Sequence, residues 1–173
     1  LLLDRVGALG LVTSNAQHIK KNDIIDWPPK ERDGYKRTKL NTVVNAFHIR
    51  VLEQMADLAD AIGKPKEAEQ YRKDVQAKRA VYLEKFWDAS QGLFKDGAST
   101  DNLSLHGNLF PLAFGLVPDG SEASVADWLA NRGMRCSVYA AQYLMEALFE
   151  NGAGEEAVAL MLAPGDRSWR HMV

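Results

Sequence analysis

The sequence predicts an all-α fold in which inner and outer helices alternate around a toroid. Three observations carry this. First, three segments open alike, each with a capping residue and then a turn of apolar and neutral polar residues: Asn41-Thr42-Val43-Val44-Asn45-Ala46-Phe47-His48, Ser104-Leu105-His106-Gly107-Asn108-Leu109-Phe110-Pro111 and Ser137-Val138-Tyr139-Ala140-Ala141-Gln142-Tyr143-Leu144. Asn and Ser side-chain oxygens satisfy the orphan N–H groups of a first helical turn. Second, the helices starting near 41, 104 and 137 carry little charge at their starts, whereas those near 65, 121 and 155 place Lys, Arg, Asp and Glu on one face. Alternating buried and half-exposed helices are what a layered helix-on-helix ring requires. Third, Gly63 ends one helix and Pro65 begins the next, a connection short enough to make an antiparallel αα-hairpin. The uneven intervals between the starts at 41, 104 and 137 disfavour a strict solenoid repeat.

The elements follow in order. A short helix is expected over residues 1–9, with Gly10 as its stop. Residues 13–40 read as irregular: Pro28 and Pro29 break any helix, and Arg32-Asp33-Gly34-Tyr35 is a turn signal. From Asn41 to Ile62, Val44, Phe47, Val51, Met55, Leu58 and Ile62 recur at helical spacing. The helix from Pro65 carries Ala68, Tyr71, Val75, Tyr82 and Phe86 on one side and basic residues on the other. Gln91 to Gly97 is bounded by Gly and suits a small strand or an extended loop. Further helices are expected over about 104–114, 121–131, 137–151 and 155–162, each followed by Gly or Pro.

The 173 residues fit one domain spanning 1–173, and 46% hydrophobic residues suffice for a core. A net charge of -2 without a basic stripe argues against a nucleic-acid partner. No apolar run approaches the length of a membrane span. The single cysteine, Cys136, rules out an internal disulfide framework and leaves the compartment open; it reads as a small buried residue. The Leu1-Leu2-Leu3 start and the Trp169-Arg170-His171-Met172-Val173 end suggest an internal fragment of something longer.

Asn45, His48, His106, Asn108, Tyr139 and Gln142 are neutral hydrogen-bonding residues set among apolar ones, which suits the wall of a cavity for a polar ligand. Asp26-Trp27-Pro28 lies in the long loop before the first inner helix, and long loops in compact domains are often functional. Trp27 can stack on a sugar ring face while Asp26 accepts hydroxyl hydrogen bonds; alternatively Trp27 plugs the end of the barrel and Asp26 caps a turn. His48, His106 and His171 lack any metal-ligand spacing, so neither metal nor cofactor is expected. There is no Gly-x-Ser-x-Gly elbow and no Gly-rich phosphate loop. Asp26, Glu31, Asp33, Asp96 and Asp101 are loop carboxylates, but their context marks none of them as a proton donor.

Taken in order, Asp26-Trp27-Pro28, Arg32-Asp33-Gly34-Tyr35, Asn41 to Phe47, the long run Ser104 to Pro118, Arg132-Gly133-Met134, Cys136 to Tyr139, Gln142-Tyr143-Leu144 and Arg167-Ser168-Trp169 resemble the catalytic domain of bacterial α-L-rhamnosidases, the inverting glycoside hydrolases of family 78. The resemblance covers essentially the whole chain and implies about half of an (α/α)6 barrel. In that family the general acid lies in an Asp-Glu-Arg-x-Gly-Trp type motif and the water-activating Glu in a Gly-x-Thr-x-x-Glu type motif. Neither motif occurs here, so no catalytic residue carries over. The resemblance implies that Trp27 packs against rhamnose with Asp26 as its neighbour, and that Asn41, Asn45 and His106 sit near inner-helix ends at the substrate site. It further implies a rhamnose-containing glycoside as the parent enzyme's substrate, and an isolated fragment without activity. Another glycosidase or lyase on the same toroid, or a non-catalytic scaffold binding protein on its concave face, are the competing readings. A cut arc should also expose inner-helix faces, with Phe47, Phe110, Tyr139 and Tyr143 as candidates, and self-associate there.

Overall fold

The structure, a computed structural model, describes residues 3–172; Leu1, Leu2 and Val173, which belong to the expected first helix and to the expected cut ends, lie outside the described residues. The main elements are α1 (Thr42–Ala61), α2 (Pro65–Phe86), β1 (Trp87–Asp88), β2 (Leu93–Phe94), α3 (Leu105–Ala113), α4 (Glu122–Arg132), α5 (Val138–Glu150) and α6 (Gly154–Leu162). Inner helices α1, α3 and α5 pack side by side in that order, and each carries its outer partner, α2, α4 or α6. The described residues thus form three inner–outer hairpins in an arc. The only sheet among the described residues is the β1–β2 hairpin, pairing Trp87 with Phe94 and Asp88 with Leu93.

The caps are those the sequence indicates. Asn41 accepts from the Val44 N–H at 2.9 Å, Ser104 from Gly107 at 3.2 Å and Ser137 from Ala140 at 3.4 Å, each from an extended backbone. Gly63 takes φ 76° after α1, a conformation that strains any side chain, and Pro65 opens α2.

One expectation needs correction. Among the described residues, the segment before Gly10 is not a helix but a 3-10 turn, Leu3–Arg5, followed by an antiparallel bridge from Val6 to Val12. Buried Leu11 and Val12 pull the chain back, and Arg5 donates to the Thr13 carbonyl at 3.1 Å and to Asp23 at 2.8 Å. Along α1 and its C-cap Ile62 the periodic residues divide: Val44 is buried and Phe47 half-buried, whereas Val51, Met55, Leu58 and Ile62 are exposed. The core side of α1 also carries Val43, Ala46, Ile49, Leu52, Ala56 and Ala59. Its alanines let neighbouring helices approach closely, so size along the helix misreports which face is buried.

The core runs through the hairpins. Tyr82, Phe86 and Phe94 are fully buried, with Tyr82 and Phe86 ring centroids 4.9 Å apart. A second aromatic cluster joins the inner helices: Phe47 to Phe110 at 4.8 Å, Phe110 to Tyr143 at 5.4 Å and Phe114 to Tyr143 at 5.8 Å. Phe110 is therefore fully buried and Phe47 and Tyr143 half-buried; of the aromatics expected at an exposed edge, Tyr139 alone is exposed.

Candidate functional site

The loop of residues 23–40 carries three aspartates, and each fastens the start of an inner helix. Asp23 accepts from Asn41 Nδ2 at 3.3 Å, and so reaches the cap of α1. Asp33 accepts from the N–H of Leu105, first residue of α3, at 2.8 Å and from Arg132 Nε at 2.7 Å. Asp26 reaches two helices. Its Oδ2 accepts from the Ser137 N–H at 2.8 Å and lies 2.8 Å from His106 Nε2. Its Oδ1 accepts from the Trp27 N–H at 2.8 Å and from the Ser137 hydroxyl. Carboxylates at helix N-termini also favour the local dipole.

This arrangement leaves Asp26 1% exposed while its neighbour Trp27 is 72% exposed. Burial pushes the Asp26 carboxyl upward, but the hydrogen bonds from His106, Ser137 and Trp27 outweigh it and hold the group below its ordinary value. Asp96 behaves oppositely. Burial prevails there over hydrogen bonds from Ser104, Lys36 and Asn102, and its carboxyl sits above its ordinary value.

Trp27 stands at the rim of a cavity of about 1070 Å³ beside the N-terminus of α5. Pro28, Lys30, Tyr139, Arg167 and Trp169 line it as well. Arg167 pairs with Glu31 at 2.5 Å and donates to the Met134 carbonyl at 3.2 Å, tying the segment before Trp169 to the Trp27 loop. Cys136 lies in the wall but is buried, and burial pushes its thiol up to about 12, so it is a neutral thiol rather than a nucleophile. Tyr139 is pushed up to about 12 as well, by burial of its hydroxyl and its hydrogen bond with Tyr143.

The structure brings Asp26, Trp27 and His106 together and places Asn41 and Asn45 elsewhere. Both asparagines are fully buried and absent from the cavity wall. Asn45 Oδ1 accepts from the Val12 N–H at 2.7 Å while its Nδ2 donates to the carbonyls of Val12 at 3.1 Å and Asn41 at 2.9 Å. Asn108 does the same to Phe94, at 2.8 and 3.0 Å. Each stands four residues after its helix cap. A side-chain amide matches a peptide group donor for acceptor, so each asparagine completes the hydrogen bonding of a buried extended segment. Gln142 is exposed and donates to Glu146 at 3.1 Å. Of the neutral polar residues that suggested a ligand wall, Tyr139 is the one lining the large cavity.

His106 is fully buried, and its Nδ1 has no partner among the described residues. Of the loop carboxylates, Asp26, Asp33 and Asp96 are hydrogen-bonded within the protein, Glu31 is ion-paired and Asp101 is exposed 3.9 Å from Lys95. Among the described residues no group of three or more His, Cys, Asp or Glu could hold a metal ion, and no helix is long and apolar enough to cross a membrane. Sequence reasoning missed Arg167 and Trp169 as cavity walls. Their signal was the Arg167-Ser168-Trp169 match, which carried no spatial information.

Three inner–outer hairpins, with an aromatic-rimmed cavity beside an inner-helix N-terminus, define a domain of the α/α-toroid class. The chain belongs to the bacterial alpha-L-rhamnosidase six-hairpin glycosidase domain family, whose sequence pattern matches residues 9–173. In structure it is similar to a rhamnosidase from Klebsiella oxytoca with rhamnose bound: TM-score 0.75 at 22% identity, covering 98% of this chain and 31% of that one. It is also similar to native α-L-rhamnosidase from Aspergillus terreus: TM-score 0.71 at 18% identity, covering 96% of this chain and 19% of that one. The chain therefore spans less than a third of the length of these two relatives. No curated protein matches it.

Proposed function

We propose that this chain is part of an inverting glycoside hydrolase that releases terminal α-L-rhamnose, and that it forms sugar-binding wall without the catalytic pair. The observation that carries this is the pairing of an exposed Trp27 with a buried, fully engaged Asp26 at the mouth of the cavity. An indole left open to solvent on a firmly held backbone suits a stacking platform for the apolar face of a sugar. Family membership and the rhamnose held by the Klebsiella oxytoca relative support rhamnose as the ligand. Of the sequence-derived site residues, Trp27 contacts the sugar in this reading. Asp26 and His106 lie beneath it, and Asn41 and Asn45 hold the scaffold.

Inverting hydrolysis needs a protonated carboxyl and a carboxylate about 6.5–9.5 Å apart across the scissile bond. Asp26 is held ionised and saturated with donors, and Asp33 and Asp96 are likewise engaged with backbone and side-chain groups. That occupancy supports a catalytic pair supplied from outside these residues, and a chain that binds rhamnose without cleaving it. The test is titration of the chain with L-rhamnose, alongside an assay for hydrolysis of an aryl α-L-rhamnoside. Saturable binding at Trp27 without turnover is the expected result.

A further inference from the structure

The geometry points to Asp26 as the positioning residue for the sugar platform: one buried carboxylate sets Trp27 against the N-terminus of α5. This rests on the reading of Trp27 as the sugar-facing group. The opposite reading, in which Asp26 itself accepts hydrogen bonds from sugar hydroxyls, requires free lone pairs. An ionised carboxylate offers about four acceptor sites. Here the donors to Asp26 are the Trp27 N–H, the Ser137 hydroxyl, the Ser137 N–H and His106 Nε2, so the protein uses all of them. The residue is also 1% exposed.

Those donors come from three separate places. Trp27 belongs to the loop, His106 to the first turn of α3, and Ser137 caps α5. Tyr139, two residues beyond Ser137, lines the same cavity as Trp27. The two aromatic walls are thus referenced to a single group. The Asp26 carbonyl adds a fifth tie, accepting from Arg32 Nε at 2.7 Å. A platform on a loop loses binding energy if it must be ordered by the ligand, so fixing it beforehand raises affinity. Asp26 acts on the sugar through Trp27, without touching it.

The experiment uses the full chain labelled with 5-fluorotryptophan, whose four tryptophans give separate fluorine resonances. The Trp27 signal is assigned with Trp27→Phe, and L-rhamnose is the probe. In Asp26→Asn the expected result is a displaced or broadened Trp27 resonance and an affinity for rhamnose lowered about tenfold. The Trp87 and Trp128 resonances, which report the hairpin core and α4, should stay in place. A merely structural role for Asp26 would move all of them together. Should Asp26→Asn unfold the chain, Ser137→Ala removes one donor and keeps the carboxylate; the same changes at Trp27, smaller in size, are expected. An unchanged Trp27 resonance and a rhamnose affinity within about twofold of wild type in the variant that folds would overturn the inference. A wild-type Trp27 resonance that ignores rhamnose would instead overturn the functional reading, and the two failures are therefore distinct.

Discussion

His106 Nε2 lies 2.8 Å from Asp26 Oδ2, with both residues buried, and this contact joins the first turn of α3 to the loop that presents Trp27. A buried carboxylate that loses a donor is costly, so Asp26 depends on the His106 contact. Asp26→Asn replaces one acceptor oxygen by an NH₂ group facing protein donors. The expected loss is about 2–3 kcal/mol, a fall in Tm of roughly 5–10 °C, read by thermal unfolding near neutral pH.

The same group sets a pH dependence. The folded Asp26 carboxyl is held below its ordinary value, so its stabilisation is fully present above the unfolded value of about 3.9 and is lost as pH falls through the folded value. Asp96, held above its ordinary value by burial, has the opposite sign: it penalises the fold as pH rises through that value. The clean observable is therefore the stability difference between wild type and Asp26→Asn. It should shrink below about pH 4, as the Asp26 carboxylate takes up a proton. A difference independent of pH down to 3 would contradict this assignment.

The helices were legible in the sequence because their signals are local. Asn41, Ser104 and Ser137 cap where a cap is needed, and Gly63-Lys64-Pro65 can only be a helix stop and restart. The rhamnosidase resemblance was legible in the run from Ser104 to Pro118, which lies within the family match. What one sequence does not carry is the partner of each polar group. Asn45 and Asn108 look like ligand-facing amides until Val12 and Phe94 are seen to present bare backbone to them. That the far half of the α1 stripe, from Val51 onward, is exposed was illegible for a related reason. Periodicity marks two faces of a helix, and Ala46, Ala56 and Ala59 make the buried one look the poorer.

Gly107 yields a prediction of opposite sign to helix propensity. A Cβ there would lie 2.7 Å from Asp96 Oδ1, which is buried and already bonded to Ser104. In an open helix, Gly→Ala gains about 1 kcal/mol. Here the clash should prevail, and Gly107→Ala should destabilise by about 1–3 kcal/mol. Urea unfolding measures it, and a variant more stable than wild type would show that α3 can shift away from Asp96.

The exposed seam of α1 predicts self-association of this chain. Val51, Met55, Leu58 and Ile62 follow the 4-3-4 spacing of a coiled-coil seam, and Gln54 and Ala61 beside it carry no charge. A second copy is the occupant this pattern fits, at α1 rather than at the aromatics buried between the inner helices. Sedimentation velocity should show concentration-dependent association. Leu58→Lys with Ile62→Lys should abolish it while altering stability by less than about 1 kcal/mol. A monomer at all concentrations would contradict the prediction.

The purified chain should not hydrolyse an aryl α-L-rhamnoside above a mock purification. Measurable turnover abolished by Asp26→Asn together with Asp33→Asn or Asp101→Asn would identify a catalytic pair within this chain, against the hydrogen bonding that engages Asp26 and Asp33.

The central claim, that Trp27 is a sugar platform, is tested most directly by titrating L-rhamnose into wild type and Trp27→Ala and reading affinity beside Tm. Because Trp27 is 72% exposed, its removal should cost little stability, with Tm within about 3 °C of wild type. Affinity should fall about tenfold or more. Unchanged rhamnose affinity together with a large fall in Tm would contradict the account and make Trp27 a packing residue at the end of the arc.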